Sequence, residues 1–169
     1  LSPSKKNNEE DHNLNATILE FLLTYAKVEL AHNYFQLIKH EIPPNNKNLH
    51  TQIIALFRKY SLKEGYRIFS ELKKNGFSPS LNSYNLLFHG CQEENLGREA
   101  MVIFQEMIKD NIYPSTVTYS TLVALFRNIK DFDNGATILK HLMSPGNLEL
   151  VNKKSKFIEM VSTDKLCEE

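Results

Sequence analysis

A chain of 169 residues, 41% hydrophobic and 24% charged, is long enough to bury one sizeable core and has the composition of an ordinary folded domain. No run approaches the roughly eighteen apolar residues of a membrane span, and no signal-peptide core is visible, so no membrane partner is expected. Twenty basic and twenty acidic side chains cancel, so the net charge argues neither for nor against a nucleic-acid partner.

Residues 1–10 are polar and are expected to form a disordered segment ahead of a helical domain over 11–169. Residues 14–42 carry the stripe of a helical hairpin: Ile18, Leu19, Leu22 and Leu23, then Leu30, Ala31, Tyr34, Phe35 and Ile38. The inner turn of that hairpin, around Lys27-Val28-Glu29, is short and leaves its register open by a residue or two.

From here a landmark recurs. Pro44, Pro79 and Pro114 are 35 residues apart, and each closes a helical pattern. A fixed period of this size marks a solenoid, whose units bury their apolar faces against their neighbours. In the segments 46–80, 81–115 and 116–150, the first helices align Leu49, Tyr84 and Tyr119, then Leu56, Cys91 and Phe126. The second helices align Gly65, Ala100 and Gly135, then Ile68, Ile103 and Ile138, then Leu72, Met107 and Leu142. Asn75-Gly76 and Asp110-Asn111 fit helix C-terminal caps, while Ser80 and Ser115 fit caps for the next helix. The third segment breaks early at Ser144-Pro145-Gly146-Asn147, and residues 148–161 read as one more helix with Leu150, Phe157, Ile158 and Val161 on its apolar side.

The pattern predicts an all-α fold, a right-handed solenoid of about four hairpins (12–45, 46–80, 81–115 and 116–147) with a C-terminal capping helix.

Charge is uneven along the stack. Residues 46–80 hold seven basic and two acidic side chains, and residues 81–115 hold two basic and five acidic ones. Two readings stay open: helix faces joined by ion pairs between repeats, or a phosphate-binding strip that would include Lys47 and Arg58.

No constellation supports catalysis, and no cofactor or metal is expected. Cys91 and Cys167 lack zinc-site spacing, His32 and His40 stand too far apart for one helix turn, and His89 beside Cys91 has no orienting third group.

The segments Asn82-Ser-Tyr-Asn-Leu-Leu, Val117-Thr-Tyr-Ser-Thr-Leu-Val and Phe104-Gln-Glu-Met, with Ile112-Tyr-Pro-Ser at the unit's end, resemble the pentatricopeptide repeat (P-type). The resemblance spans roughly residues 12–150 and is strongest over 81–143. It implies binding of single-stranded RNA, one base per repeat, read by two or three side chains. It also implies a mitochondrial setting in RNA processing, stability or translation.

In that family the fifth and last residues of each repeat read the base, and an often apolar second residue sandwiches it. Carried over, these are Asn85 and Ser115 with Asn82; Ser120 with Val117; and His50 and Ser80 with Lys47. For the 116–150 unit, the last residue falls on Leu150 by count or Asn147 by loop shape. The family's pairings imply a pyrimidine for Asn85 with Ser115 and a purine for Ser120. Asn82 and Lys47 depart from the apolar clamp, so two alternatives stand beside RNA reading. One is a protein-binding scaffold or structural subunit of a ribonucleoprotein, and the other is the recognition part of an RNA-processing enzyme.

Overall fold

The computed structural model describes residues 4–42 and 47–144, and every regular element among them is a helix. In chain order these are α1 (Ser4–Thr24), α2 (Val28–Ile38), α3 (Lys47–Tyr60), α4 (Leu62–Lys74), α5 (Leu81–Glu94), α6 (Gly97–Lys109), α7 (Thr116–Asn128) and α8 (Phe132–Leu142). They pair as four hairpins. The first helices stack on one another, α1 on α3, α3 on α5 and α5 on α7, while α4 and α6 pack against the helix that follows. This is the all-α stack of hairpins that the 35-residue period predicts. Residues 4–10, expected to be disordered, instead form the opening of α1. The expected C-terminal helix at 148–161, Cys167 and both candidate end residues, Asn147 and Leu150, lie outside the described residues.

Helix ends follow the sequence closely. Ser80 and Ser115 each accept a bond from the third residue of the next helix, Ser83 and Thr118, and the latter side chains bond back to the cap backbone. These reciprocal capping boxes satisfy amide groups that a helix start leaves unpaired. After α4 and α6 the chain turns through Gly76 (φ 89°) and Asn111 (φ 58°), the left-handed conformation in which a helix commonly ends. Ile68, Ile103 and Ile138 are fully or almost fully buried on the inner face of the second helices.

The inner turns are less regular, and they decide the register. Ala26, Asn95 and Lys130 adopt left-handed backbone (φ 54°, 56° and 58°) in the turns of the first, third and fourth hairpins. The second hairpin has no such residue. There α3 passes to α4 through Ser61 alone, extended at φ −161°, whose side chain caps Glu64 N–H. Losing one residue at that turn moves α3 by one position relative to α5. Both helices have 14 residues, but they start at Lys47 and Leu81, whereas α4 and α6 start at Leu62 and Gly97. The buried set His50, Ile53, Ile54 and Phe57 therefore matches Tyr84, Leu87, Phe88 and Cys91. The expected alignment of Leu49 with Tyr84 and of Leu56 with Cys91 is corrected to His50 and Phe57.

At the stack's first end, Leu14, Phe21, Tyr25, Leu30 and Leu37 are 55–75% exposed. Leu37 occupies the place of Glu71 and Glu106. Glu71 bonds to Gln36, and Glu106 to Lys73, each on the preceding hairpin.

Candidate nucleic-acid interface

The candidate reading positions open the first helices. Asn82 and Asn85 are the second and fifth residues of α5; Val117 and Ser120 are the second and fifth of α7. Asn82 and Val117 are exposed, while Asn85 and Ser120 are half-buried, so each hairpin offers one outward side chain and one recessed polar one. Because α5 and α7 lie side by side, the two pairs occupy the same positions on neighbouring helices. Ser80 and Ser115 sit at the starts of α5 and α7, and both are engaged in capping.

The recessed side chains differ in chemistry. Asn85 Oδ1 accepts a 2.8 Å bond from the Thr118 hydroxyl of the next hairpin. Ser120 Oγ donates to Val117 O within its own helix at 3.0 Å, leaving its oxygen lone pairs as acceptors.

His50, expected to read a base, does not reach this surface. It is 2% exposed and meets Phe77 edge-on at 4.4 Å between ring centroids. Burial lowers its pKa to about 4, so the ring is neutral near pH 7. The missing turn residue puts His50 where Tyr84 and Tyr119 stand, and Thr51 becomes the fifth residue of α3. Sequence reasoning missed Thr51 because the prolines fix the outer period only. The pairs Ile53-Ile54 and Leu87-Phe88, 34 apart instead of 35, carry the signal. In the first hairpin, ten residues ahead of Ala26 as Asn85 is ahead of Asn95, the same place falls on Ala16, a buried methyl.

The expected phosphate strip also changes. Arg58, a candidate phosphate contact, bonds Glu93 of the next hairpin at 2.6 Å, and its side chain is only 16% exposed. Arg67 faces Glu64 and Glu71 at 3.3 and 3.8 Å. Lys73 Nζ bonds both Glu106 (2.6 Å) and Asp110 (2.5 Å), while Tyr66 donates to Glu106 and Tyr84 to Asp110. Burial opposes charge on Lys73, but these hydrogen bonds and the two carboxylates outweigh it and raise its pKa. Burial likewise opposes ionised Asp110, and the bonds from Lys73 and Tyr84 outweigh that to hold its carboxyl below the usual range. Arg58 and Lys73 of the second hairpin are thus neutralised by carboxylates of the third, and Arg67 by those of its own hairpin. Lys59, Lys63 and Lys74 remain exposed, whereas the side chain of Lys47 lies outside the described set.

Cys91 is fully buried, and burial pushes its thiol up to about 12 with Glu99 and Glu94 adding, which keeps it protonated and a poor nucleophile. Among the described residues no cluster of His, Cys, Asp and Glu could hold a metal ion, and no helix is long and apolar enough to cross a membrane.

A pentatricopeptide repeat domain model matches residues 67–129, from within α4 to the end of α7. Mitochondrial 15S rRNA processing factor CCM1 of Saccharomyces cerevisiae is 34% identical over 80 residues, covering 46% of this chain and 9% of the relative. A pentatricopeptide repeat-containing protein of Arabidopsis thaliana is 26% identical over 110 residues, covering 62% of this chain and 15% of the relative. A second, mitochondrial one from the same plant is 35% identical over 81 residues, or 46% and 7%. The chain thus spans a small part of these relatives' length. With hairpins of matching period and the Tyr84 and Tyr119 openings inside the matched segment, residues 67–129 are similar to pentatricopeptide repeats in both sequence and helical architecture.

Proposed function

We propose that this chain is a single-stranded-RNA-reading segment acting in mitochondrial RNA processing, stability or translation. One observation carries the reading: a polar residue recurs at the fifth place of α3, α5 and α7 (Thr51, Asn85, Ser120), on first helices that stack in sequence. Each can meet one base edge, with Asn82 and Val117 beside the second and third of them and Ser80 and Ser115 at the adjoining caps. The processing factor's name supports the RNA reading, and the names of that relative and of one plant relative support the compartment.

Affinity from three such positions is modest. A well-made base contact contributes roughly 1–3 kcal/mol, and Asn82 supplies no apolar surface for stacking. Ion pairing of Arg58, Arg67 and Lys73 further limits phosphate contacts, so the salt dependence is shallow.

A second reading, docking of a protein partner, is favoured by the exposed apolar face of the first hairpin, where Leu37 is 75% exposed. Fluorescence anisotropy with short cytosine, uracil, adenine and guanine oligonucleotides at two salt concentrations separates the two readings. RNA reading requires base-dependent binding that weakens with salt and in Asn85→Ala. A folded helical protein that binds none of the four favours protein docking.

A further inference from the structure

We propose that Thr118 is a positioning residue that fixes which way round the Asn85 amide faces RNA, and thereby sets a pyrimidine preference at that position. The proposal rests on the RNA reading above and adds to it a residue that touches no base. Thr118 belongs to the hairpin after the one that carries Asn85, as the third residue of α7.

A hydroxyl has one proton to give and two lone pairs to fill. Thr118 Oγ1 accepts Ser115 N–H at 3.0 Å and lies 3.2 Å from Ser115 Oγ. Ser115 Oγ itself accepts Thr118 N–H, at 3.4 Å. When the Ser115 hydroxyl donates to Thr118, both lone pairs of Thr118 are taken and its proton goes to Asn85 Oδ1. That contact, at 2.8 Å, is the shorter of the two places the proton could go. An amide flipped the other way would press its N–H2 against an oxygen with no lone pair left. The carbonyl therefore faces Thr118, and the two N–H donors face away from it.

The neighbouring positions lack this arrangement. Ser83, the counterpart of Thr118 one hairpin earlier, donates to Ser80 O at 3.1 Å, so its proton stays within its own cap. Ser120, the counterpart of Asn85, is satisfied by Val117 of its own helix. Asn85 is held from the next hairpin, so the stacking of α5 on α7 sets the orientation of its amide. Donors held in one direction suit the O2 carbonyl that cytosine and uracil share. Of the purines, guanine presents N–H groups on the corresponding edge, and adenine offers only a ring nitrogen in place of that carbonyl. Without Thr118 the amide turns freely and can offer either face.

The test compares binding of short pyrimidine and purine RNAs by the parent chain, Thr118→Val, Thr118→Ser and Asn85→Asp, with thermal melts of each. Thr118→Val is expected to lower the pyrimidine-over-purine ratio about tenfold, while affinity for purine RNA is kept or gained. Thr118→Ser, which keeps the hydroxyl, restores the ratio; a purely structural role of the capping box would lower affinity for all four bases alike. Asn85→Asp retains an acceptor for Thr118 but has no donors. It is expected to abolish the preference, and this keeps the idea testable if Thr118→Val fails to fold.

A ratio unchanged in Thr118→Val, or pyrimidine preference surviving in Asn85→Asp, overturns the proposal while leaving RNA binding in place. A parent chain that binds no RNA removes the function itself and this proposal with it.

Discussion

The second and third hairpins have equal outer spacing and differ by one residue in the inner turn. In the third, Asn95 turns through left-handed backbone, Tyr84 is buried with its hydroxyl on Asp110, and Asn85 stays at the recessed polar place. In the second, Ser61 alone makes the turn, and His50 is buried where Tyr84 would be. His50 Nδ1 has no partner among the described residues. The comparison teaches that the buried stripe of a first helix, anchored by packing on its neighbours, governs which side chain faces outward. Spacing between prolines does not govern it. A one-residue change in a turn relabels every position of the helix before it.

The two hairpins also meet through unlike chemistry on their two sides. A ring pair sits at both junctions, Phe69 with Tyr84 at 5.1 Å and Phe104 with Tyr119 at 6.4 Å; Lys73, Glu106 and Asp110 add charge to the first, whereas His141 adds a third ring, 5.1 Å from Phe104, to the second. The repeat specifies where helices approach and leaves the means of contact open.

The largest expected effect comes from removing the residue that the two hairpins do not share. Tyr84→Ala empties a fully buried aromatic site and strands Asp110 with Lys73 alone, and should cost about 3–5 kcal/mol in denaturant unfolding. A loss below ~1 kcal/mol would mean that the third hairpin does not depend on that ring.

The second hairpin should have its own acid limb. The folded-state pKa of His50 is about 4 against 6.5 unfolded, so between those values the unfolded chain binds more protons. Stability contributed by neutral His50 is present above about pH 6.5 and is lost as pH falls towards 4, on the order of 2–3 kcal/mol in all. His50→Phe should flatten this part of the pH–stability curve; an unchanged curve would assign the titration elsewhere.

A smaller contrast lies at the helix crossings. A Cβ on Gly65 would stand 2.7 Å from Arg58 Cβ and 2.8 Å from its Cα, whereas one on Gly135 would meet Phe126 Cβ at 3.5 Å. Gly65→Ala is expected to cost about 1–3 kcal/mol through forced separation of α3 and α4, partly offset by helix propensity. Gly135→Ala should be neutral or stabilising by up to ~1 kcal/mol. Equal effects at the two sites would remove the contrast between the tight crossing at Gly65 and the looser one at Gly135.

Much was legible in the residues alone. The 35-residue proline period, the caps at Ser80 and Ser115, and the buried stripe from Ile68 to Ile138 follow from local rules: proline ends a helix, hydroxyls start one, and apolar residues three and four apart share a face. These need only neighbours in sequence, so the helices and their pairing could be written down before any coordinates. The placing of His50 in the core, the shift of the candidate fifth position to Thr51, the pairing of Arg58 with Glu93 and the bond from Thr118 to Asn85 could not. Each depends on which residues of different hairpins touch. Packing of one helix on the next settles that, because a dense interior admits one register and excludes the neighbouring ones.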